Sequence, residues 1–389
     1  MNAYFEQRIQ SAENWQAQFN KDIHFDPLWL IKHIFDVLDI SDENYIVGID
    51  KHGSLYHCAK HSKAGGFTVL VPGEVYEKIT KWTIHNDKHA EDKHISSYDN
   101  SYKEYNKIMN DIKKANERKI TGVLNPPYKD GTHLEYLEHA IKNFDKFVII
   151  EPASFLINEK PDSRNTIEKR LKQALQGIVY RIEIRNPNQI FKNAKLATPI
   201  AIIFVDKSKI HDSFILKDYM RNEEWEMSDI NRINKYGNNP LYFSIKEKIS
   251  KFIEKNGSFL DIKNRIGSFY INFSQIRGNV NYNDPNLFDS PDFFTFVPNN
   301  LTISKIKEKA FSIGDKTEKE SKNRLSYLRL KIPRFCLSIY KIHNNIDRGE
   351  LAIIPDLDFT KSYTDQDLKK IFGFSHEEWV FIDKNIPEY

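Results

Sequence analysis

Apolar residues recur at three- and four-residue spacing in PLWLIKHIFDVL (27–38). There Leu30, Ile31, Ile34, Val37 and Leu38 share one face, which predicts an amphipathic helix. The apolar runs YIVGID (45–50) and FTVLV (67–71) predict short strands. Residues 81–118 are very polar and predict a surface loop and a helix. From Lys119 the pattern sharpens. ITGVLN (120–125) predicts a buried strand running into NPPYKDGTH, a turn rich in Pro and Gly. Leu134, Leu137, Ala140 and Ile141 then mark one helical face, and FVIIE (147–151) predicts a strand. Residues 165–176 predict a helix with basic and amide side chains outward, and VYRIEI (179–184) alternates as a strand does. TPIAIIFV (198–205) is almost wholly apolar, as in a sheet covered on both faces.

Strands alternating with helices imply an α/β layered domain. The expected boundary lies near Lys209, giving an α/β domain over 1–209 and a second region over 210–389. After His211 aromatics become dense and glycines mark turns, so this region is expected to be mixed α+β, with a helical tail after Asp365.

Composition narrows the class only a little. The 389 residues suffice for two or three domains, and 40% hydrophobic content supplies real cores. A net charge of +3 is too small to select a partner, so the distribution of charge matters more. Cys58 and Cys336 have neither C-x-x-C nor zinc-finger spacing and are expected to be reduced thiols. No apolar run approaches the ~20 residues of a membrane span, and MNAYFEQRIQ has no apolar signal core. The expectation is a cytoplasmic protein with no membrane association. His57/His61 and His85/His89 have H-x-x-x-H spacing but lack the Glu of H-E-x-x-H, so no metal is expected.

The candidate chemistry lies in Asn125-Pro126-Pro127-Tyr128. It follows a strand and precedes a helix, at the carboxyl end where open α/β sheets bind ligands. An amine conjugated to a ring is a poor nucleophile because its lone pair is delocalised. An Asn side-chain oxygen can accept one of its N–H groups, and a rigidly held backbone carbonyl can accept the other. Two prolines fix φ and offer no competing donor. The Tyr128 ring can stack on a planar base taken out of a helix. A plain Pro-Pro turn remains the simpler alternative.

The stretch VLNPPYKDGTHLEYLEHAIKNFDKFVIIEPASFLIN resembles the catalytic-loop region of N6-adenine DNA methyltransferases of restriction–modification and phage type. NQIFKNAKLATPIAIIFVDK resembles their later strand pair, and the segment from Ile354 to Tyr389 is similar to the C-terminal ends of large members. The resemblance covers under a third of the chain. It implies a Rossmann-like methyltransferase domain with a C-terminal target-recognition region, and S-adenosylmethionine as cofactor. Asn125 and Pro126 would bind the target amine, Tyr128 would stack on the base, and Phe191 would shape the base pocket. The family's F-x-G-x-G-like donor motif is missing upstream. Its nearest substitutes are Pro72-Gly73 after FTVLV, Asp50 for ribose hydroxyls and Asp99 beside the cofactor's adenine. Each also fits a plain turn or a solvated position.

Residues 321–346 carry Lys322, Arg324, Arg329, Lys331, Arg334 and Lys341, with no Asp or Glu and with Tyr327, Phe335 and Tyr340 interleaved. They are candidates for contacting phosphates of double-stranded DNA, and Arg277 in FSQIRGNVNYN is a candidate for base readout. Leu325, Leu328, Ile332 and Phe335 equally suit packing on a core. Three readings stay open. The chain is an adenine-N6 methylase, a catalytically silent DNA-binding or specificity subunit with a partner, or a glutamine N5-methyltransferase. A homodimer is compatible with each.

Overall fold

The computed structural model describes residues 28–49, 55, 64, 66–72, 95–98, 102–115, 119–128, 131–157, 166–191, 196, 198–234, 236–263, 265–273, 301–308, 311–340 and 348–388. The chain divides into two compact units. One takes residues up to Ala153 and Ile167–Asn231; the other takes Ser154–Thr166 and Arg232–Tyr389.

The first unit is organised by apolar runs that form one sheet. Its strands are β1 (Asn44–Ile49), β2 (Gly66–Pro72), β3 (Ile95–Tyr98), β4 (Lys119–Leu124), β5 (Lys146–Pro152), β6 (Val179–Arg185), β7 (Ile200–Asp206), β8 (Phe214–Asp218) and β9 (Glu223–Met227). They lie in the order β3-β2-β1-β4-β5-β7-β6-β8-β9. β7 is antiparallel to both β5 and β6, and β9 is antiparallel to β8. All other pairings are parallel. This is the α/β layered class that alternation of strands and helices implied, with the Rossmann-like sheet that the resemblance implied. The chain winds outward from β1 to β3 and then returns to β4. The carboxyl ends of β1 and β4 therefore flank a topological switch point, where such sheets bind ligands.

Side chains alternate across each strand, so the two faces have separate cores. Helix α1 (Leu28–Leu38) buries Leu30, Ile31, Ile34 and Leu38 against Val69, Val123, Val148, Ile150 and Phe204. On the opposite face α2 (Tyr102–Ala115) and α3 (Thr132–Asn143) pack together through Tyr105 and Tyr136, whose rings lie 4.8 Å apart. α4 (Thr166–Leu175) buries Leu171 and Leu175. β3 falls in the polar stretch where a loop and a helix were expected. β8 and β9 add two strands beyond residue 209. β9 is a sheet edge with exposed Glu223, Glu224 and Glu226, charges that discourage pairing with another chain.

The second unit pairs β10 (Phe269–Phe273) with β11 (Ile303–Ser304) and β12 (Phe311–Asp315), all antiparallel. Its helices include α6 (Pro240–Asn256), α7 (Glu318–Leu328), α8 (Lys331–Tyr340), α9 (Asp365–Phe372) and α10 (His376–Asn385), after a single turn α5 (Pro187–Ile190) in the first unit. The starts of α7, α9 and α10 carry capping boxes, Thr317 with Glu320, Thr364 with Asp367 and Ser375 with Glu378. The helical tail expected after Asp365 is thus present, broken at Gly373, whose left-handed φ of 65° ends α9. Tyr242, Ile245, Ile271, Ile313, Tyr327, Leu328, Ile332 and Phe335 share one core.

Candidate functional site

β4 is buried from Ile120 onward and delivers Asn125 to the carboxyl edge of the sheet. Gly122 is what lets the neighbouring elements close on it. A Cβ there would stand 2.9 Å from the Phe144 ring and 3.1 Å from Phe147. The turn is then built from a buried Asn125, a buried Pro126, and half-buried Pro127 and Tyr128. The Tyr128 hydroxyl donates to Asn125 Oδ1 at 2.9 Å, with the Ile150 carbonyl a longer acceptor at 3.3 Å. The turn is thereby tied to β5, and the oxygen of the Asn125 amide has a fixed direction. Gly131, at a φ of 77°, allows the left-handed step into α3 that a side chain would resist.

Two residues that the sequence did not single out stand beside this turn. Glu151 closes the run FVIIE on β5 and faces α3, opposite the face of Val148 and Ile150. Its carboxyl is fully buried, and among the described residues neither oxygen has a hydrogen-bond partner. The His133 Nε2 lies 3.8 Å away, longer than a hydrogen bond. The His133 Nδ1 is buried and also unpartnered, and its ring meets the Tyr128 ring edge to face at 6.0 Å. Burial pushes the Glu151 carboxyl well above the usual carboxylate range and pushes His133 down to about 4. Burial thus favours the neutral form of each group. The signal that could have found them is a single carboxylate at the end of an otherwise apolar buried strand.

A raised folded-state value has a definite sign. The unfolded carboxyl ionises near 4.5 and the folded one at a higher pH, so folding takes up a proton between the two values. Glu151→Gln removes this dependence. Its stability relative to the parent chain is expected to grow as the pH rises above the unfolded value, until the folded carboxyl ionises too. Urea unfolding from pH 5 to 8 measures this. Parallel curves for the two proteins would refute a neutral Glu151.

A second polar cluster lies at the carboxyl end of β6. Glu183, fully buried, accepts Arg185 Nε and Nη2 at 2.9 and 2.7 Å, Arg181 Nε at 2.7 Å, and makes a 2.8 Å contact with His33 Nε2 on α1. The Arg185 guanidinium lies 3.5 Å from the Tyr219 ring centroid and 5.4 Å from that of Trp29. Burial works to raise the Glu183 carboxyl. The His33 hydrogen bond and the charge of Arg185 outweigh it and hold the group down to about 2. In the sequence, the signal is YRIEIR, where three charges at two-residue spacing share one face of a strand.

The remaining expected site residues are placed as follows. Asp50, Gly73, Asp99, Arg277 and Lys341 lie outside the described residues, as do both histidine pairs. Pro72 ends β2 opposite Tyr98. Phe191 is buried in the apolar cluster under α1, and its N–H caps α5 on the Pro187 carbonyl at 2.7 Å. The basic stretch is a correction. Arg324 is an interior residue, bound to Asp315 at 3.0 Å and Asp356 at 2.9 Å, with its guanidinium 4.0 Å from the Phe359 ring centroid. Arg334 is also interior, donating to the Pro387 carbonyl at 2.7 Å. Lys331 is buried against Asp383 and Glu388. Arg329 is half-buried, and Lys322 is exposed and paired with Glu318 at 2.7 Å. Arg324 and Lys331 answer acids from elsewhere in the unit and Arg334 answers a carbonyl, so in this fold these three do not present a phosphate-binding surface. Arg324→Ala would leave Asp315 buried without that partner and is expected to destabilise the second unit by about 3–5 kcal/mol. Lys322→Ala is expected to leave the melting curve nearly unchanged. Equal effects in thermal unfolding would contradict this division.

Among the described residues no helix is long and apolar enough to cross a membrane, and no group of three His, Cys, Asp or Glu residues could hold a metal ion. No protein-family model matches the chain. No curated protein matches it either. Among solved structures, it is similar to a modification subunit of a putative type I restriction enzyme from Vibrio vulnificus YJ016, at 10% identity over 56% of this chain and 53% of that chain, with a TM-score of 0.39. It is also similar to a dimethyladenosine transferase from Plasmodium falciparum, at 14% identity over 48% and 63% of the two chains, with a TM-score of 0.32. A third is a predicted O-methyltransferase from Agrobacterium tumefaciens, at 14% identity over 46% and 78%, with a TM-score of 0.28. The match thus spans only 53% and 63% of the first two proteins' own length.

Proposed function

We propose that the chain transfers a methyl group from S-adenosylmethionine to the N6 amine of an adenine in DNA. The observation that carries this reading is the buried Asn125, held by Tyr128 at the carboxyl end of β4 beside the switch point of the sheet. Asn125 Oδ1 accepts one N–H of the target amine and the Pro126 carbonyl accepts the other. Accepting both hydrogens draws the nitrogen toward tetrahedral geometry and frees its lone pair. Pro126 and Pro127 keep the backbone rigid and free of competing donors. The Tyr128 ring supplies a stacking face for the extruded base. Position and charge complementarity supply the rate, with no covalent enzyme intermediate.

The donor contributes an electrophilic methyl group when bound. Its fit to this fold is supported by strand order. Asp50, Gly73 and Asp99 each follow, in the chain, the last residue of β1, β2 or β3, and these are adjacent parallel strands. With Pro72, they are the residues that would hold it.

The test is transfer of labelled methyl from S-adenosylmethionine to duplex DNA, followed by digestion to nucleosides. N6-methyldeoxyadenosine is the expected product. No heat of S-adenosylmethionine binding, with or without DNA, would sink the enzyme reading in favour of a silent DNA-binding subunit. Label appearing on a glutamine-containing protein acceptor and not on DNA would redirect the substrate.

A further inference from the structure

The least economical feature of the first unit is Glu151. Replacing it by an apolar residue would remove the burden of burying an unpartnered carboxyl. The carboxyl nevertheless stands at the end of β5, next to the residue whose carbonyl receives Tyr128. Ile150 meets the Tyr128 hydroxyl at 3.3 Å, while Glu151 faces the imidazole that lies edge to face with the Tyr128 ring. Consecutive residues of one strand thus address the two ends of the same tyrosine, one directly and one through His133.

We infer that Glu151, acting through His133, is a positioning residue for the Asn125–Tyr128 turn. The inference rests on the proposed amine-binding role of that turn. No side chain among the described residues other than His133 lies within ion-pair distance of the carboxyl; its neighbour across β7 is Ala201. A neutral carboxyl has a proton to donate to His133 Nε2, and closing the 3.8 Å gap to hydrogen-bond length needs only a small shift of α3 or of the side chains. The imidazole is then fixed in one tautomer and one orientation. Its edge limits how far the Tyr128 ring can turn, and the ring sets the hydroxyl on Asn125 Oδ1. Glu151 itself touches no reacting atom.

The test uses the full chain with tyrosine labelled by 13C at the ring ε carbons, the Tyr128 signal being assigned by its loss in Tyr128→Phe. His133→Phe and Glu151→Leu are expected to move that signal, and Glu151→Gln, which keeps a donor of the same shape, is expected to leave it close to that of the parent. In single-turnover methylation, His133→Phe and Glu151→Leu are expected to lower kcat about ten- to a hundredfold with KM for DNA unchanged, and Gln at 151 to restore it to within about threefold. A Tyr128 signal unmoved by His133→Phe overturns the inference, as does a Gln variant displaced as far as the Leu variant. If Glu151→Leu fails to fold, His133→Phe and Glu151→Gln still decide. The ring signal needs no catalysis, so a parent chain that methylates nothing would sink the proposed reaction while the positioning role was judged by the spectrum.

Discussion

Asn125→Ala is expected to slow methyl transfer to DNA by about a hundred- to ten-thousandfold, with S-adenosylmethionine binding retained. The substitution removes an acceptor aimed at the amine and takes away the nearer of the two acceptors of the Tyr128 hydroxyl. Little backbone change is expected, because Pro126 and Pro127 set the turn independently of the side chain. Asn125→Asp keeps an acceptor at the same place and is expected to retain more activity than the alanine variant, although it places a charge at a site only 6% exposed. Single-turnover rates measure the chemical step, and calorimetry measures donor binding separately. Transfer unchanged in Asn125→Ala would remove the turn from the reaction. Loss of donor binding in step with rate would mean that Asn125 serves the cofactor or the fold instead.

Glu183→Ala is expected to destabilise the first unit by about 3–5 kcal/mol, because it leaves Arg181, Arg185 and His33 around a buried vacancy with no anion. A pH dependence separates this from simple loss of packing. The folded carboxyl is held down to about 2, against 4.5 for the unfolded chain. A depressed folded-state value contributes stability that is present above the unfolded value and is lost as pH falls through the folded one. The contribution is about 3 kcal/mol at neutral pH. Urea unfolding of the parent and of Glu183→Gln at pH 7 and again near pH 2 should show the difference between them shrinking as the pH falls. A difference independent of pH would show that the carboxylate charge contributes nothing. The arrangement also fixes Arg185 against Tyr219 and Trp29, two exposed aromatics on the same unit.

The basic stretch shows how a linear reading of charge can mislead. No acid occurs between residues 321 and 346, so local composition makes the stretch look like an electropositive face. In the folded unit Asp315 and Asp356 pair with Arg324, and Asp383 and Glu388 with Lys331. Each partner comes from a different part of the sequence. Burial and pairing of this kind depend on which elements meet, and the spacing of charges along the chain does not encode that.

Local chemistry determined a large part of this protein without help. Apolar periodicity marked α1 and α3, and apolar runs marked β1, β2, β4, β5 and β7. Those signals survive folding because they arise from contacts within a few residues. The same is true of Asn125-Pro126-Pro127-Tyr128, whose restricted dihedrals and internal hydrogen bond span four positions. Only the tertiary structure placed β3 in the sheet, beyond a polar stretch, since strand formation there depends on the partner offered by β2. It also decided which carboxylates carry charge. Glu183 is anionic because His33, 150 positions away, and two arginines converge on it. Glu151, on the same sheet, is pushed toward its neutral form, since among the described residues no hydrogen-bond partner reaches its oxygens. Desolvation acts on both, and long-range neighbours determine which of them can afford its charge.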